Sequence, residues 1–303
     1  MTQYTSYDTV GQKEEVDSTI SNISPTKTPF QSTIGNEKIG AKLFEWQEDS
    51  LADPRDNKAV EGFTATTRAR TPTVMRENVT QILEDTFGIS GTTDAVKHHG
   101  RKRETAYQLA KVGAQLKRDL EYAMVGTGQV KSSGSAAAAR TFAGVQAQID
   151  ASVTVTAPDG DAGTAGVQES DLTEALVLEA NQKLYAEGAE ADMLMVKPTD
   201  SLKVADFANS AGRTREIGNE RKVVNVVDLY VSPFGQQKVV LNRWIRETDA
   251  LLYDPNMWKQ CTLRPWFRET LAKTGDSTEI MVVGEFSLKH RNYKGTALIT
   301  NLK

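Results

Sequence analysis

Three histidines, one cysteine and a set of evenly spaced glycines are the residues best suited to chemistry in this chain. His98 and His99 are adjacent, and Asp94 precedes His98 by one helical turn. A metal site needs three or four converging ligands with supporting contacts. Adjacent residues on a helix point in different directions, so the pair fits a structural junction better than a metal. His290 lies near a turn and offers nothing further. Cys261 stands between Gln260 and Thr262 in a strand-like stretch. A nucleophilic thiol needs a base and an electropositive setting. Neither is indicated, so a buried or half-buried small residue is expected. Gly160, Gly163 and Gly166 fall in a polar loop and not at a strand-to-helix turn, so they fail the dinucleotide and P-loop patterns. No nucleophile elbow or HExxH motif occurs, and sequence order pairs no two carboxylates. The expectation is a non-enzyme with no catalytic residue, no cofactor and no metal.

Composition sets the frame for the elements that carry these residues. The 303 residues are 39% hydrophobic and 25% charged, with a formal net charge of −4. That suits one large domain or two modest ones, with a core small enough to leave partners a role in stability. The mild negative charge argues against a surface that binds nucleic acid or anionic membrane as a whole. No apolar run approaches the ~20 residues of a membrane span. The first residues lack the basic start and apolar stretch of a secretory signal. A single cysteine excludes an intrachain disulfide and a thiolate zinc cluster.

The strongest periodicity runs over residues 98–125. Ala106, Leu109, Ala110, Gly113, Leu116, Leu120, Ala123 and Met124 recur at spacings of three and four, on one face of a helix. Arg101, Glu104, Gln108, Lys111, Gln115, Arg118 and Tyr122 lie on the opposite face. Gly126 and Gly128 supply the stop, because glycine accepts left-handed geometry. At about 1.5 Å per residue the helix is roughly 40 Å long, a spine for the rest. His98, His99 and Gly100 sit at its start and are hinge candidates, with the histidines giving a pH-sensitive joint.

Residues 1–40 are polar and irregular, and the segment SPTKTPFQSTIG is expected to be non-helical because Pro25 and Pro29 bias their predecessors toward extended geometry. They form either a disordered tail or an arm ordered when Phe30 and Ile34 dock on a neighbour. Residues 42–51 place Phe44 and Trp46 on one side of a strand, and residues 77–89 place Val79, Leu83, Phe87 and Ile89 on one face. The segment between is polar and turn-rich. The pattern reads as a long antiparallel hairpin with an elaborate tip. Two strands alone are marginal in water, so the hairpin must lie on something, and a second copy of the chain is the natural support. Arg68, Arg70 and Arg76 stand on the return side, while Glu45, Glu48, Asp49 and Asp53 stand on the outgoing side. A plain solvated surface is the alternative. The inter-subunit contact candidates are Phe30, Ile34, Trp46, Glu48, Asp53, Arg55, Arg68, Arg70 and Arg76.

After the spine, residues 142–149 read as a short strand or turn and 150–166 as a surface loop. A helix over 170–188 opens with a capping-box pattern at Asp171 and Glu174. Residues 192–197 form a buried strand and 201–208 a helix. Strands follow at 221–231, 237–241 and 250–253. Together these give a compact α/β unit over about 166–253. The tail is all β, at 259–271 with Trp266 and Phe267 inside, 279–289 and 296–302. It has no helix of its own, so the spine is its expected cover.

This order of arm, hairpin, spine helix, α/β unit and closing β layer resembles the major capsid proteins of tailed bacteriophages, with the Hong Kong-type fold. The segments that carry the resemblance are SPTKTPFQSTIG, KLFEWQEDSLADP, RENVTQILEDTFGIS, RKRETAYQLAKVGAQLKRDLEYAMVG and LAKTGDSTEIMVVGEFSLKHRNYKGTALITNL. They span nearly the whole chain. The resemblance implies an α+β fold with an N-arm at 1–40 and an extended E-loop at 41–90. It implies a P-domain at 91–149 and 255–303, and an axial A-domain at 150–254. It implies a shell of pentamers and hexamers around double-stranded DNA held without sequence specificity, in a virion assembled in the host cytoplasm. Portal, scaffold and decoration proteins are the implied partners, and no membrane is. The chain starts almost at the arm, which implies a mature form or a separate scaffold. The competing readings are an enzyme or ligand-binding protein built on 166–253, and another virion component; the long spine disfavours a tail tube, whose proteins are mostly β.

Overall fold

The computed structural model describes residues 25–52, 54–97, 103–158, 170–210, 229–273 and 275–303. A short helix α1 (Pro29–Thr33) forms in the segment expected to be non-helical, because Pro29 opens the helix at its first turn, and leads into strand β1 (Gly35–Lys38). Then come β2 (Leu43–Glu48), β3 (Val74–Val79), β4 (Gln81–Ser90), the short α2 (Gly91–Ala95) and the spine α3 (Glu104–Val125). The second half holds β5 (Thr154–Thr156), α4 (Glu174–Ala186), β6 (Met193–Val196), α5 (Pro198–Ser210), β7 (Leu229–Ser232), β8 (Gly235–Leu241) and β9 (Ala250–Tyr253). The chain closes with β10 (Trp258–Thr270), β11 (Ser277–His290) and β12 (Thr296–Thr300).

Among the described residues these strands make a sheet in the order β1-β10-β11-β4, a sheet in the order β5-β12-β9-β6-β8-β7, and the β2-β3 hairpin. The second sheet is covered on both faces, which explains its unbroken apolar runs. In β9 all four residues are buried. Ala250 and Leu252 face α4 and α5 with Leu194, Val196, Leu176 and Val204. Leu251 and Tyr253 point the other way, to Met195, Leu120, Met124 and Phe30. The spine thus ends in a core shared by both sheets. Its earlier turns, through Val112 and Leu116, pack on Val282, Leu83 and Phe87 of the first sheet.

The spine's last turns follow the expected stripe, but its first turns do not. Ala106 and Ala110 are exposed, Val112 is buried, and Glu104 is buried despite its place on the expected polar face. The apolar surface beneath that end is limited to β4, β11 and Trp266, and Val112 and Leu116 already cover it. At the C-terminal end Gly128, with φ 62°, is the left-handed residue, whereas Gly126 keeps a right-handed φ of −100°.

Four further expectations are corrected. The return arm of the hairpin is two strands: β3 pairs with β2 from Leu43↔Val79 to Glu48↔Val74, and after Thr80 the chain crosses to pair β4 with β11. The last strand, β12, leaves the closing β layer and pairs with β9 and β5 in the α/β sheet. Phe267 is 38% exposed, and only Trp266 turns inward, onto Phe286 at 4.6 Å. Adjacent residues of a strand point to opposite faces, so Trp266 and Phe267 cannot both turn to the same core. Gly284 makes room for Trp266, because a β carbon there would lie 2.6 Å from the indole. Asp171 does not cap α4; Thr173 does, accepting from the Leu176 N–H, while Asp171 pairs with Lys203 and Lys303.

Leu120 is 1% exposed at the centre of the shared core. Leu120→Ala should lower unfolding stability by about 2–5 kcal/mol, through lost transfer energy and a residual cavity. Leu202→Ala, at a position 64% exposed on α5, should change it by less than ~0.5 kcal/mol. Denaturant titration of the two variants measures the difference.

Candidate functional site: the anchorage of the arm and the hairpin

The arm is held by its first turn. Thr28 gives α1 no side-chain cap, and Pro29 has no N–H to satisfy. The cap comes from the spine. Glu121 Oε1 accepts from the Phe30 N–H at 2.8 Å and from Asn242 Nδ2 at 2.7 Å, and Oε2 accepts from the Gln31 N–H at 2.9 Å. Gln31 Nε2 donates to the Lys117 carbonyl at 2.7 Å, and Trp244 Nε1 donates to the Lys27 carbonyl at 2.9 Å. The Phe30 ring is fully buried between Tyr253 (5.6 Å) and Trp258 (5.7 Å). Burying such a ring contributes about 1.5–3 kcal/mol. Burial pushes the Glu121 carboxyl above the usual carboxylate range, and the donated N–H bonds hold it back in part.

The hairpin is locked at its base. Phe44 stacks on Trp46 at 5.7 Å, and Trp46 meets Tyr293 at 6.4 Å. Arg76 lies over the Tyr293 ring at 4.1 Å and donates to Glu48 Oε2 at 2.8 Å, while Glu48 Oε1 accepts from the Tyr293 N–H at 2.8 Å. Asn78 is fully buried: Nδ2 donates to the Leu288 carbonyl (2.6 Å), and Oδ1 accepts from the Ala143 N–H (2.8 Å). At the crossing point Thr80 donates to Glu285 Oε1 at 2.6 Å. The same buried carboxylate accepts from Arg140 Nη2 at 2.6 Å and from Arg264 Nε at 2.9 Å. The side chains of Asn78 and Thr80, where the chain leaves the hairpin for the sheet, are therefore tied to segments far along the chain.

Beyond this base the character changes. Residues 54–75 are exposed throughout. Leu51 is 98%, Val60 78% and Phe63 63% exposed. Arg55, Arg68 and Arg70 line one open cleft with Pro54, Asn57, Thr66 and Thr67.

The structure sorts the contact candidates into two groups. Phe30 and Ile34 are buried in their own subunit's core. Trp46 packs on Tyr293, and of the sign-divided charges Glu48 and Arg76 pair with each other within their own subunit. Arg55, Arg68 and Arg70 remain on the exposed tip. Asp53, His98, His99 and Gly100 lie outside the described residues. Asp94 is engaged by Thr105, whose hydroxyl donates to it at 2.8 Å. Cys261 is buried, and its thiol is pushed up to about 12 by burial, so it carries no reactive thiolate.

The sequence reading missed Glu121, Asn78, Glu285 and His290. Glu121 had a signal, since a carboxylate beside Leu120 and Met124 interrupts the apolar stripe. The other three have none, because their partners are 65, 145 and 142 residues away.

A two-sheet α+β subunit with a projecting hairpin, a clamped arm and a spine beneath both is the architecture of a shell protein. Solved capsids share it: that of cyanophage P-SCSP1u superposes with a TM-score of 0.66 at 11% identity, covering 95% of this chain and 92% of that one. The capsid of a native GTA particle gives 0.64 at 11% identity, covering 98% and 97%. The model of the SU10 major capsid protein family matches residues 3–303, and the chain belongs to that family. It is also 32% identical to the major capsid protein of Escherichia phage Phieco32, over 99% of this chain and 97% of that one. The chain is a tailed-phage major capsid protein, a structural subunit of the icosahedral shell and a component of the virion.

Glu121→Ala leaves the N–H groups of Phe30 and Gln31 buried without their acceptor. The expected loss is about 1–3 kcal/mol for each unsatisfied donor. Trypsin cleavage after Lys27 should speed up at neutral pH, while cleavage at Arg55, Lys58, Arg68 and Arg70 of the exposed tip keeps the rate of the unmodified protein. Unchanged protection at Lys27 would mean that Phe30 burial alone fixes the arm.

Proposed function

We propose that the hairpin tip and the chain leading into the arm are the parts that join subunits in the shell. The observation that carries this is the contrast along one hairpin. Its base is tied by Glu48, Arg76, Asn78 and Thr80, and its tip exposes Leu51, Val60 and Phe63 beside three arginines. Apolar side chains at the end of a rigid lever, ringed by charge, have the composition of an interface core with a polar rim. A neighbouring copy is the partner that covers them. In this reading residues 1–40 are the arm and 41–90 the E-loop. Residues 91–149 and 255–303 supply the P-domain wall, apart from β12, and 150–254 form the A-domain at the centre of pentamers and hexamers. Many modest contacts per subunit sum to a stable particle.

The shell encloses double-stranded DNA without sequence specificity, and the net charge of −4 is mild enough for packaged DNA to lie inside the wall without strong repulsion. Assembly in the host cytoplasm on a portal, with scaffold and decoration proteins, completes the proposal. The protein's work in it is structural and not catalytic.

Deletion of residues 53–70 tests the reading. The expected product is a soluble subunit with a cooperative unfolding transition that forms no closed particles in negative-stain micrographs. Normal shells from the deleted chain would remove the hairpin from the inter-subunit role. An unfolded product would place the tip in the subunit's own core.

A further inference from the structure

The two anchorages meet at His290. Rings run without a break from the hairpin to the arm: Trp46 to Tyr293, Tyr293 to His290 at 5.9 Å, His290 to Trp258 at 3.9 Å with planes 1° apart, and Trp258 to Phe30. His290 is 0% exposed, and both ring nitrogens are engaged. Nδ1 lies 2.8 Å from the Gln148 carbonyl, which can only accept, so Nδ1 carries the proton. Nε2 lies 3.0 Å from Thr296 Oγ1. That hydroxyl oxygen already accepts from Trp258 Nε1 at 2.9 Å, so its own proton points to Nε2. The relay fixes a neutral imidazole with a single tautomer.

A second proton breaks this arrangement. It sets two N–H donors against one hydroxyl oxygen and leaves the hydroxyl proton without its acceptor. It also places a full charge in a dry site. Stacking on the Trp258 face returns part of the cost. Burial outweighs it and pulls the imidazole down to about 3, with the Gln148 carbonyl working in the opposite direction.

Among the described residues no counter-ion touches the ring, and no carboxylate hydrogen-bonds it. On the hairpin side Arg76 lies over Tyr293, with Glu48 occupied by Arg76 and the Tyr293 N–H. The Tyr293 hydroxyl is itself pushed up to about 12 by burial. Lys259 and Arg291 adjoin Trp258 and His290 in the chain, and Lys289 is paired with Glu37 at 3.0 Å. On the arm side Glu121 is shifted upward, so acid favours its folded form and opposes the effect of His290.

We propose that His290 is an acid-operated release for the arm and the hairpin: a proton on Nε2 opens the ring stack and frees both anchorages while the α/β unit stays folded. Its meaning for the shell rests on the inter-subunit reading above, but the test uses the isolated subunit and is independent of it. The neutral ring is the folded form, so the closed state is at full strength above about pH 6.5, the ordinary histidine value. It weakens by about tenfold per pH unit as pH falls toward the depressed value, because only the open state binds the proton.

Hydrogen–deuterium exchange on the purified full chain at pH 7.5, 6.0 and 4.5, corrected for intrinsic rates, reads this directly. Between pH 6.0 and 4.5 the opening constant of residues 29–34, 43–48 and 74–79 should rise about 30-fold, at tenfold per unit. Residues 174–186 of α4 should stay protected. His290→Gln should flatten the pH dependence, Thr296→Ser should keep it, and Glu121→Gln should steepen it. Equal loss of protection in α4 and the hairpin at the same pH overturns the proposal, as does a flat profile in the unmodified protein. Those two outcomes need no variant to fold, and a flat profile leaves the inter-subunit reading standing.

Discussion

One buried ring and the carboxylate that holds its backbone organise this subunit. Phe30 fills the space between Tyr253 and Trp258, where the two sheets and the end of the spine converge. A five-residue helix has no stability of its own, since a single turn fixes several dihedrals for one or two hydrogen bonds. Glu121 makes the turn possible by accepting its first N–H groups from inside the core. The pairing of β1 with β10 follows, because the arm arrives in register only when Phe30 is seated.

The hairpin obeys the same logic with different chemistry. A two-stranded ladder six residues long is marginal alone. Here it is joined to the body through a buried amide, a hydroxyl–carboxylate bond and a charge pair under an aromatic ring. Buried polar groups of this kind are costly unless every partner is present, so the base forms as a unit or not at all. The result is a stiff base with a bare tip. That distribution suits a part whose partner lies outside the subunit, because the lever's direction is fixed before the partner arrives.

Periodic features of the sequence were legible. The apolar stripe of α3 at Leu116, Leu120, Ala123 and Met124, the α/β alternation and the all-β tail rest on spacing within one element, and spacing is local. The hairpin was legible as a hairpin, but its split at Thr80 was not, since the bend is set by Glu285 far along the chain. The sequence shows no core for the arm and the hairpin base, so it leaves a neighbour as one support for them; the fold supplies a core within the subunit through Trp258 and Tyr293. His290 looked idle for the same reason, its partners Gln148 and Thr296 being brought together only by the meeting of two sheets.

By itself the sequence determined the types of the long periodic elements, the long helix as organiser, the absence of known catalytic motifs and a resemblance strong enough to name the class, but not the short α1, β1 and β5. Those follow from local periodicity, turn chemistry and the residue types present. Tertiary structure decided which charges are paired, which aromatic rings touch, where the last strand goes and which carboxylate caps the arm. Each of these depends on groups far apart in the chain whose burial raises the worth of a hydrogen bond and the penalty for a missing one. No pattern within a single stretch of sequence records that, and only closure of the core around Phe30 makes it definite.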